Sequence, residues 1–563
     1  CDANMGCCRR FGGRVQCFLQ AHMLMIIWTS LVQFVFWMSY FHYKREPQYY
    51  YLRSILGVGL FTSRGSASVL NVSCCLVLLP MLKGVLLHIR RLHSFSPFLL
   101  TCVVDKCKAI HKSLAITIIL MSVVHTASHA VNAYNFSMQY KSAFGDLNLA
   151  KFQGENPVLI LLNTVPGITG LIMLALLSIM FATSWRCCRR NHFDLFSYSH
   201  YLYLPFLLLL ICHPLSGILK EQTNLEAHTP GCLEANDEGT NNLACKERPL
   251  FHSMASKTWL WVGIPLIIYL MDSLSTWVTL TPTQILYARL HPSHVLELGF
   301  YQQSFRCQPG QYILLRCPDV SKLQWHAFSI TSSVSGYFSL HIKTLGDWTR
   351  ELKKYVDDRA LKSINHEGKS GKGVVWYNTY LTMPKPQVDI RGPFSSPMQD
   401  IISFPFSLCI AGGVGITPFS AVINGMLVES EKKKPPIKLS IIWVCRNPDE
   451  FSWMLDTLYA IYDKYWNLNL PEYFSVQLYF TQKCSSEELQ VALEPYHAFF
   501  TPRVFFGRPA WDSQFDLMKD MHYRETVGVF CCGPTTMCRE VKDYCDTYNL
   551  KGAKFVYKQE RFS

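Results

Sequence analysis

Hydrophobic and polar positions divide the chain near residue 280. Before it, six apolar runs recur, at roughly 23–41, 66–88, 110–133, 158–181, 201–219 and 258–278. A helix of about 20 apolar residues crosses a bilayer, so each run predicts one span. After it, short alternating stretches with Gly and Pro turns take over. Tyr312-Ile313-Leu314-Leu315 behind Gln308-Pro309-Gly310-Gln311 predicts one strand of a small antiparallel barrel. Beyond about 405, apolar strands run into turns and helix starts, the pattern of an α/β lobe. The expected fold class is a multi-domain membrane protein. A six-helix bundle occupies 1–280, an antiparallel β-barrel 281–400 and an α/β lobe 401–563.

Composition sharpens this picture. Of 563 residues, 49% are hydrophobic and only 17% charged, which excludes a disordered or collagen-like chain. The net charge of +13 would suit a nucleic-acid binder, but its sources lie beside the spans. Arg9, Arg10 and Arg14 precede the first. Arg90, Arg91, Lys106, Lys108 and Lys112 lie between the second and third, and Arg186, Arg189 and Arg190 between the fourth and fifth. By the positive-inside rule those loops, both termini and the soluble half face the cytosol, and no nucleic-acid partner is expected. The acidic connection 220–257 then faces outward. The 22 cysteines show no paired zinc-knuckle spacing; the doublets Cys7-Cys8 and Cys187-Cys188 read as free thiols or acylation sites. The chain begins at Cys1 without Met, so a longer amino terminus is expected.

Histidines inside spans are costly, so their spacing carries information. His111 and His125 are 14 residues apart in the third span, and His200 and His213 are 13 apart in the fifth. Both intervals approximate four helical turns, which puts each pair on one face about 20 Å apart. Parallel courses of the two helices set His111 opposite His200 and His125 opposite His213, two stacked sites for metal held from both sides. Unrelated histidines satisfied within the bundle are the alternative. His129, one turn beyond His125, is a substitute ligand or a polar neighbour. Arg64 opens the second apolar run and reads by position as an interfacial snorkelling cation.

In the soluble half, Ser407-Leu408-Cys409-Ile410 runs into Ala411-Gly412-Gly413-Val414-Gly415-Ile416-Thr417-Pro418. A strand, glycine turn and helix start let backbone N–H groups approach a pyrophosphate. Further turns follow strands at Arg446, at Gly507-Arg508-Pro509-Ala510-Trp511 and at Cys532-Gly533-Pro534. Arg446 and Arg508 are either a clamp for a 2′-phosphate, selecting NADPH over NADH, or surface ion-pair formers.

Taken together, the four-histidine register, the segment His326-Ala327-Phe328-Ser329-Ile330-Thr331-Ser332, Gly346-Asp347-Trp348-Thr349, the glycine turn, Gly507-Arg508-Pro509 and Cys531-Cys532-Gly533-Pro534 resemble the catalytic subunits of the NADPH oxidases. The resemblance spans nearly the whole chain. It implies a ferric-reductase-type bundle with two b-type haems held by His111, His200, His125 and His213. It also implies a ferredoxin-reductase-like module with an FAD barrel and an NADPH lobe. His326 to Ser332, Lys343, Gly346 and Trp348 would contact FAD, and Gly412, Gly413, Gly415, Thr417, Pro418, Gly507, Gly533 and Pro534 would line the nucleotide site. Phe562 would cover the flavin, Cys532 would sit near the hydride path, and Arg64 and His129 would lie beside the outer haem. Ala327, Arg391 and Ser395 stand where the family has Pro, Asp and Gly, and Lys343 where it has Arg.

Further expectations follow from the same resemblance. O₂ is the electron acceptor, yielding superoxide and mainly hydrogen peroxide. The partners are membrane lipid and a small subunit of the cytochrome b light-chain type, in the endoplasmic reticulum or plasma membrane. His228 in the outer loop would supply protons; on the oxidising exterior, Cys232 and Cys245 are either bridged, folding that loop over the outer site, or two free or separately paired thiols. No EF-hand or peroxidase-like stretch precedes the first span, so the calcium-gated and dual-oxidase branches are not expected. A transmembrane ferric or cupric reductase and a non-enzymatic haem-binding scaffold are the other readings.

Overall fold

The computed structural model describes residues 2–82, 84–86, 106–140, 144–232, 247–278, 281–359, 361–365, 374–378, 386–428, 438–482, 484–522 and 525–560. Two compact units emerge, Leu19–Ser275 and, with Cys1–Phe18, Thr276–Ser563.

Among the described residues, six helices of the first unit are long and apolar enough to span a membrane: Met23–Arg45, Val58–Met81, Cys107–Met138, Val165–Thr183, Phe193–Cys212 and Thr258–Ser275. Their number matches the hydropathy pattern, but three boundaries move. The second span starts at Val58 rather than near 66, just after Gly57 at φ +57°. Thr62, Ser63 and Ser66 dilute the apolar signal there. Their hydroxyls donate to carbonyls three or four residues back, so these three side chains carry no unbonded O–H donor. Arg64 therefore lies within the helix instead of opening it. The fourth span begins after a break, with Thr164 Oγ1 accepting from Gly167 N and Pro166 in the first turn. The fifth reaches back to Phe193, is interrupted at Tyr201-Leu202 and stops at Cys212. Pro205 lacks the N–H that a continuous helix would bond to residue 201, so it is accommodated in the first turn of a new segment, Tyr203–Cys212.

Glycines let the second span approach both the third and the first closely. A side chain at Gly59 would collide with Asn132, and one at Gly65 with Phe36 of the first span. On the connection after the fifth span, β1 (Lys220–Gln222) pairs antiparallel with β2 (Phe251–Ser253).

Among the described residues, the second unit holds two sheets. Strands β3 (Thr281–His291), β4 (Val295–Tyr301), β5 (Tyr312–Arg316), β6 (His326–Val334), β7 (Tyr337–Lys343), β8 (Leu361–Asn365), β9 (Val374–Asn378) and β10 (Gln387–Phe394) form one sheet. Its order is β10-β5-β6-β7-β4-β3-β9-β8, and pairing of β10 with β3 closes six of the strands into an antiparallel barrel. Ile313, Leu315, Leu298, Phe300, Leu340 and Ile342 fill it.

The second sheet is parallel: β11 (Phe406–Gly412), β12 (Lys438–Cys445), β13 (Phe474–Phe480), β14 (Val504–Phe506), β15 (Thr526–Cys532) and β16 (Lys554–Glu560), in the order β14-β13-β12-β11-β15-β16. Strand order reverses between β11 and β15. Open α/β sheets bind ligands at such a point, outside the carboxyl ends of the strands. Apolar clusters cover both faces, one around Trp443 and Phe451, the other around Phe515 and Tyr548.

Candidate functional site

In the first unit the four histidines meet in two pairs. Ring centres of His111 and His200 lie 6.3 Å apart, and those of His125 and His213 lie 6.4 Å apart. Two imidazoles facing one metal ion at bonds of about 2.0–2.1 Å need about 6 Å between centres, once the distance from ring centre to nitrogen is added on both sides. The fifth-span break leaves this register intact: His200 ends one segment and His213 caps the next.

Three of the four outer ring nitrogens are held by groups that sequence reasoning did not single out. Nδ1 of His111 donates to Val77 O (3.0 Å) and Nδ1 of His125 to Ser63 O (3.1 Å). A carbonyl only accepts, so each Nδ1 carries the hydrogen and each Nε2 keeps its lone pair. His213 Nδ1 meets Thr169 Oγ1 at 2.9 Å. Metal-binding histidines are fixed in this way by their outer nitrogen. His200 Nδ1 is buried without a partner among the described residues. The partners are spread over the second and fourth spans, so no local motif reveals them.

The His129 ring lies 4.5 Å from that of His125. Arg64 sets its guanidinium 5.1 Å from the centre of the Tyr43 ring, and its Nε is buried with no partner among the described residues. A cation left half-satisfied beside an imidazole pair fits an anionic group there.

The connection 220–257 departs from an exposed loop with a free histidine. His228 is 1% exposed and bonded through both nitrogens. Nδ1 donates to Glu247 O at 2.8 Å, and Nε2 takes the Tyr51 hydroxyl at 2.7 Å. Tyr51 in turn accepts from Gly231 N. Cys232 is disulfide-bonded, and its sulfur lies 3.6 Å from His228 Nδ1. Cys245 lies outside the described residues.

In the second unit the sequence-predicted residues gather on β6, β7 and the carboxyl ends of the parallel strands. His326 stacks on Trp348 with ring centres 4.1 Å apart, and Phe328 lies 6.1 Å from the same indole. Ala327 pairs with Leu314 across β5, and Ile330 enters the barrel core. Thr331 turns inward to Ser339 O and His341 Nδ1, and Ser332 bonds Ser339 Oγ. The buried hydroxyl of Ser329 and the buried indole N–H of Trp348 have no partner among the described residues. A polar ring system with its own acceptors, such as a flavin, fits these two orphans. Gly346 closes a turn with Thr349 at the start of helix Asp347–Arg359, and Lys343 pairs with Glu450 at 2.9 Å.

At the reversal of strand order the glycine turn packs against the turn after β15. A side chain at Gly412 would strike Pro534, and one at Gly415 would overlap the Cys532 carbonyl. Gly413 stands at φ +55°, with its carbonyl accepting from the Trp443 indole at 2.8 Å. Thr417 and Pro418 open helix Thr417–Val428, and the Thr417 hydroxyl folds back onto Val414 O. Arg446 follows β12, while Gly507 and Arg508 follow β14, and both arginines are exposed. Cys532 ends β15 next to Gly533, and burial pushes its thiol far up. Phe562 lies outside the described residues.

One cluster had no sequence signal, because its members lie on three strands. Glu297 accepts from His291 Nε2 at 2.9 Å and from the Tyr287 hydroxyl at 2.9 Å, with Arg289 at 3.7 Å and His341 at 3.8 Å. His341 stacks on Trp453 of the parallel-sheet lobe. Donors of its own chain already surround this carboxylate.

Comparison with known proteins follows the same division. Residues 64–211 match the ferric reductase like transmembrane component family, 281–398 an FAD-binding domain family and 407–546 the ferric reductase NAD binding domain family. NADPH oxidase 4 of Rattus norvegicus is 35% identical over 96% of this chain and 97% of its own length. NADPH oxidase 3 of Homo sapiens is 28% identical over 96% of this chain and 98% of its own. Among solved structures, a flavohemoglobin from Malassezia yamatoensis is 14% identical, covers 87% of this chain and 99% of its own, and has a TM-score of 0.35.

Proposed function

The chain belongs to the NADPH oxidase family, and from that premise we propose that it moves electrons from cytosolic NADPH, through FAD and two stacked b-type haems, to O₂ across the membrane. Chiefly hydrogen peroxide is released. Transmembrane, FAD-binding and NAD-binding families cover its three parts, which makes it a transmembrane NADPH oxidase. The proposed parts are a haem bundle at 1–280, a flavin barrel at 281–400 and a nucleotide lobe at 401–563.

The observation that carries the haem assignment is the equality of the two imidazole separations, 6.3 and 6.4 Å, with outer nitrogens tied to oxygen in three of the four rings. His111 and His200 would hold the inner iron, and His125 and His213 the outer one. When bound, the flavin supplies the exchange of a hydride for single electrons and the haems supply one-electron transfer across the bilayer.

The remaining roles belong to side chains. Arg64 would stabilise negative charge developing on O₂ beside the outer pair, with His129 as its polar neighbour. Ser329, His326, Phe328, Trp348 and Lys343 would seat the flavin, with Phe562 over its ring. Backbone N–H groups at the Gly412–Thr417 turn would face a pyrophosphate at a helix start, and Arg446 and Arg508 would clamp the 2′-phosphate. Cys532, buried and therefore held as a neutral thiol, would line the hydride path without ionising. His228 and Tyr51 would hold a proton for superoxide dismutation under a loop closed by Cys232 and Cys245.

By resemblance, a small membrane subunit of the cytochrome b light-chain type is the partner. The basic inter-span loops support cytosolic termini, and the endoplasmic reticulum or plasma membrane is the proposed site. Reduced-minus-oxidised spectra of the purified protein during NADPH turnover, with oxygen uptake followed in metal-free buffer, test the whole reading. Two haem components reduced by NADPH and reoxidised by O₂ are expected. No oxygen uptake without added Fe³⁺ or Cu²⁺ would replace the oxidase with a metalloreductase.

A further inference from the structure

Lys343 ends β7 in the barrel, and its ammonium does not point into open solvent. It reaches Glu450, on the turn after β12 of the parallel-sheet lobe, with Nζ 2.9 Å from Oε2. Glu450 is 7% exposed. The same oxygen lies against the glycine turn: a Cβ built on Gly413 would stand 3.3 Å from it. That turn is fixed from below by the Trp443 indole, which donates to Gly413 O. A buried carboxylate thus fills the space between a cation of the flavin barrel and the backbone of the pyrophosphate turn.

A dinucleotide brings a doubly charged pyrophosphate to this kind of place, and like charges in a partly desolvated space repel strongly. We propose that Glu450 sets the affinity for dinucleotide cofactors: its carboxylate occupies the place between Lys343 and the Gly413 turn that a pyrophosphate takes, and a bound pyrophosphate draws Lys343 away from it. The proposal rests on the reading of this unit as an FAD- and NADPH-binding reductase. It adds a residue that works against binding, where every other residue named for the site works for it. Such a carboxylate keeps the two lobes joined by an ion pair when the site is empty and yields that pair when it fills.

The test uses the full-length haem-loaded protein. FAD and NADP⁺ are titrated separately onto wild type and Glu450→Gln, at low and moderate salt, by flavin fluorescence quenching and by competition against NADPH. Relief of repulsion is expected to tighten at least one of the two by about threefold or more, with a larger gain at low salt. Tightening of FAD alone assigns the contested pyrophosphate to the flavin, and tightening of NADP⁺ alone assigns it to the nicotinamide nucleotide. A merely structural ion pair would give the opposite sign, because its loss would loosen the lobes and weaken both ligands. Unchanged or weaker binding of both, in Glu450→Gln and in a second variant Glu450→Ala with wild-type haem content, would overturn the proposal. Wild type that binds neither FAD nor NADP⁺ would sink the underlying reductase reading and the proposal with it.

Discussion

His125 and His213 face one another with ring centres 6.4 Å apart, and the outer nitrogen of each is already engaged, by Ser63 O and by Thr169 Oγ1. That leaves one ring nitrogen on each free to bind. Replacing either histidine with Leu should cut haem content to roughly half, with the His111–His200 haem retained, because the two sites share no ligand. Oxygen reduction should stop while flavin reduction by NADPH continues. Unaltered haem stoichiometry in both variants would exclude this pair as ligands. Thr169→Val should keep the haem and shift its midpoint potential, read by spectroelectrochemical titration.

A second expectation concerns nucleotide choice. Arg446 and Arg508 stand exposed after β12 and β14, on the outer side of the strand reversal. Hydrogen bonds to a charged group contribute about 1.5–3 kcal/mol, so alanine at either position should raise the KM for NADPH by about tenfold or more. The KM for NADH should change little. Steady-state kinetics with both nucleotides decides it, and equal losses would mean that neither arginine reads the phosphate.

The sequence disclosed its long-period features and hid its cross-chain ones. Four histidines at helical spacing, the glycine turn and the number of spans could be read directly, because each is written within one segment. The second span's true start was hidden, because Thr62, Ser63 and Ser66 look polar while their hydroxyls are spent on their own helix. The fifth span's first segment, Phe193–His200, was hidden because Asp194, Ser197 and Ser199 break its apolar signal, so the run seemed to begin at 201, where the helix is in fact interrupted. Partners that lie far apart in sequence gave no signal at all. Tyr51 and His228 are separated by 177 residues, and Lys343 and Glu450 by 107.

Acid sensitivity should be built into the flavin barrel. Burial pushes the His341 imidazole down to about 4, below its ordinary 6.5. The unfolded chain then binds a proton that the folded one refuses, so stability is lost as pH falls from about 6.5 towards 4. For Glu297, burial pushes the carboxyl up, but the His291 hydrogen bond and neighbouring positive charge outweigh it and hold the group at about 2. A depressed carboxyl acts in the same direction, with its contribution lost as pH falls from about 4.5 towards 2. Hydrogen exchange of β4 and β7, corrected for intrinsic rates, should show easier opening at pH 5 than at pH 7, by on the order of 2 kcal/mol. His341→Gln should flatten that slope, and a slope unchanged in the variant would move its origin elsewhere.

The last expectation concerns the oxygen species released. Nδ1 of His228 is committed to Glu247 O, and Nε2 accepts the Tyr51 hydroxyl. The pair therefore holds one proton that can shift, since a hydrogen on Nε2 requires the Tyr51 hydroxyl to turn away. Burial at 1% exposure keeps bulk water from exchanging it freely, so its delivery depends on both partners. Dismutation of two superoxides takes up two protons and gives one peroxide and one O₂, so a relay of this kind would pass one proton at a time and regain each from water before the next. Wild type should then release chiefly hydrogen peroxide. His228→Gln keeps a bulky polar group but cannot carry the proton, and Tyr51→Phe removes the other half of the relay. Both should raise the superoxide fraction while NADPH consumption holds. Tyr51→Phe also frees Gly231 N, so Cys232→Ser, which opens the disulfide and leaves the Tyr51–His228 pair, serves as the control for loop structure. Superoxide that rises equally in all three would assign the effect to loop closure. Mostly superoxide from wild type, or peroxide alone from both relay variants, would remove His228 from the chemistry.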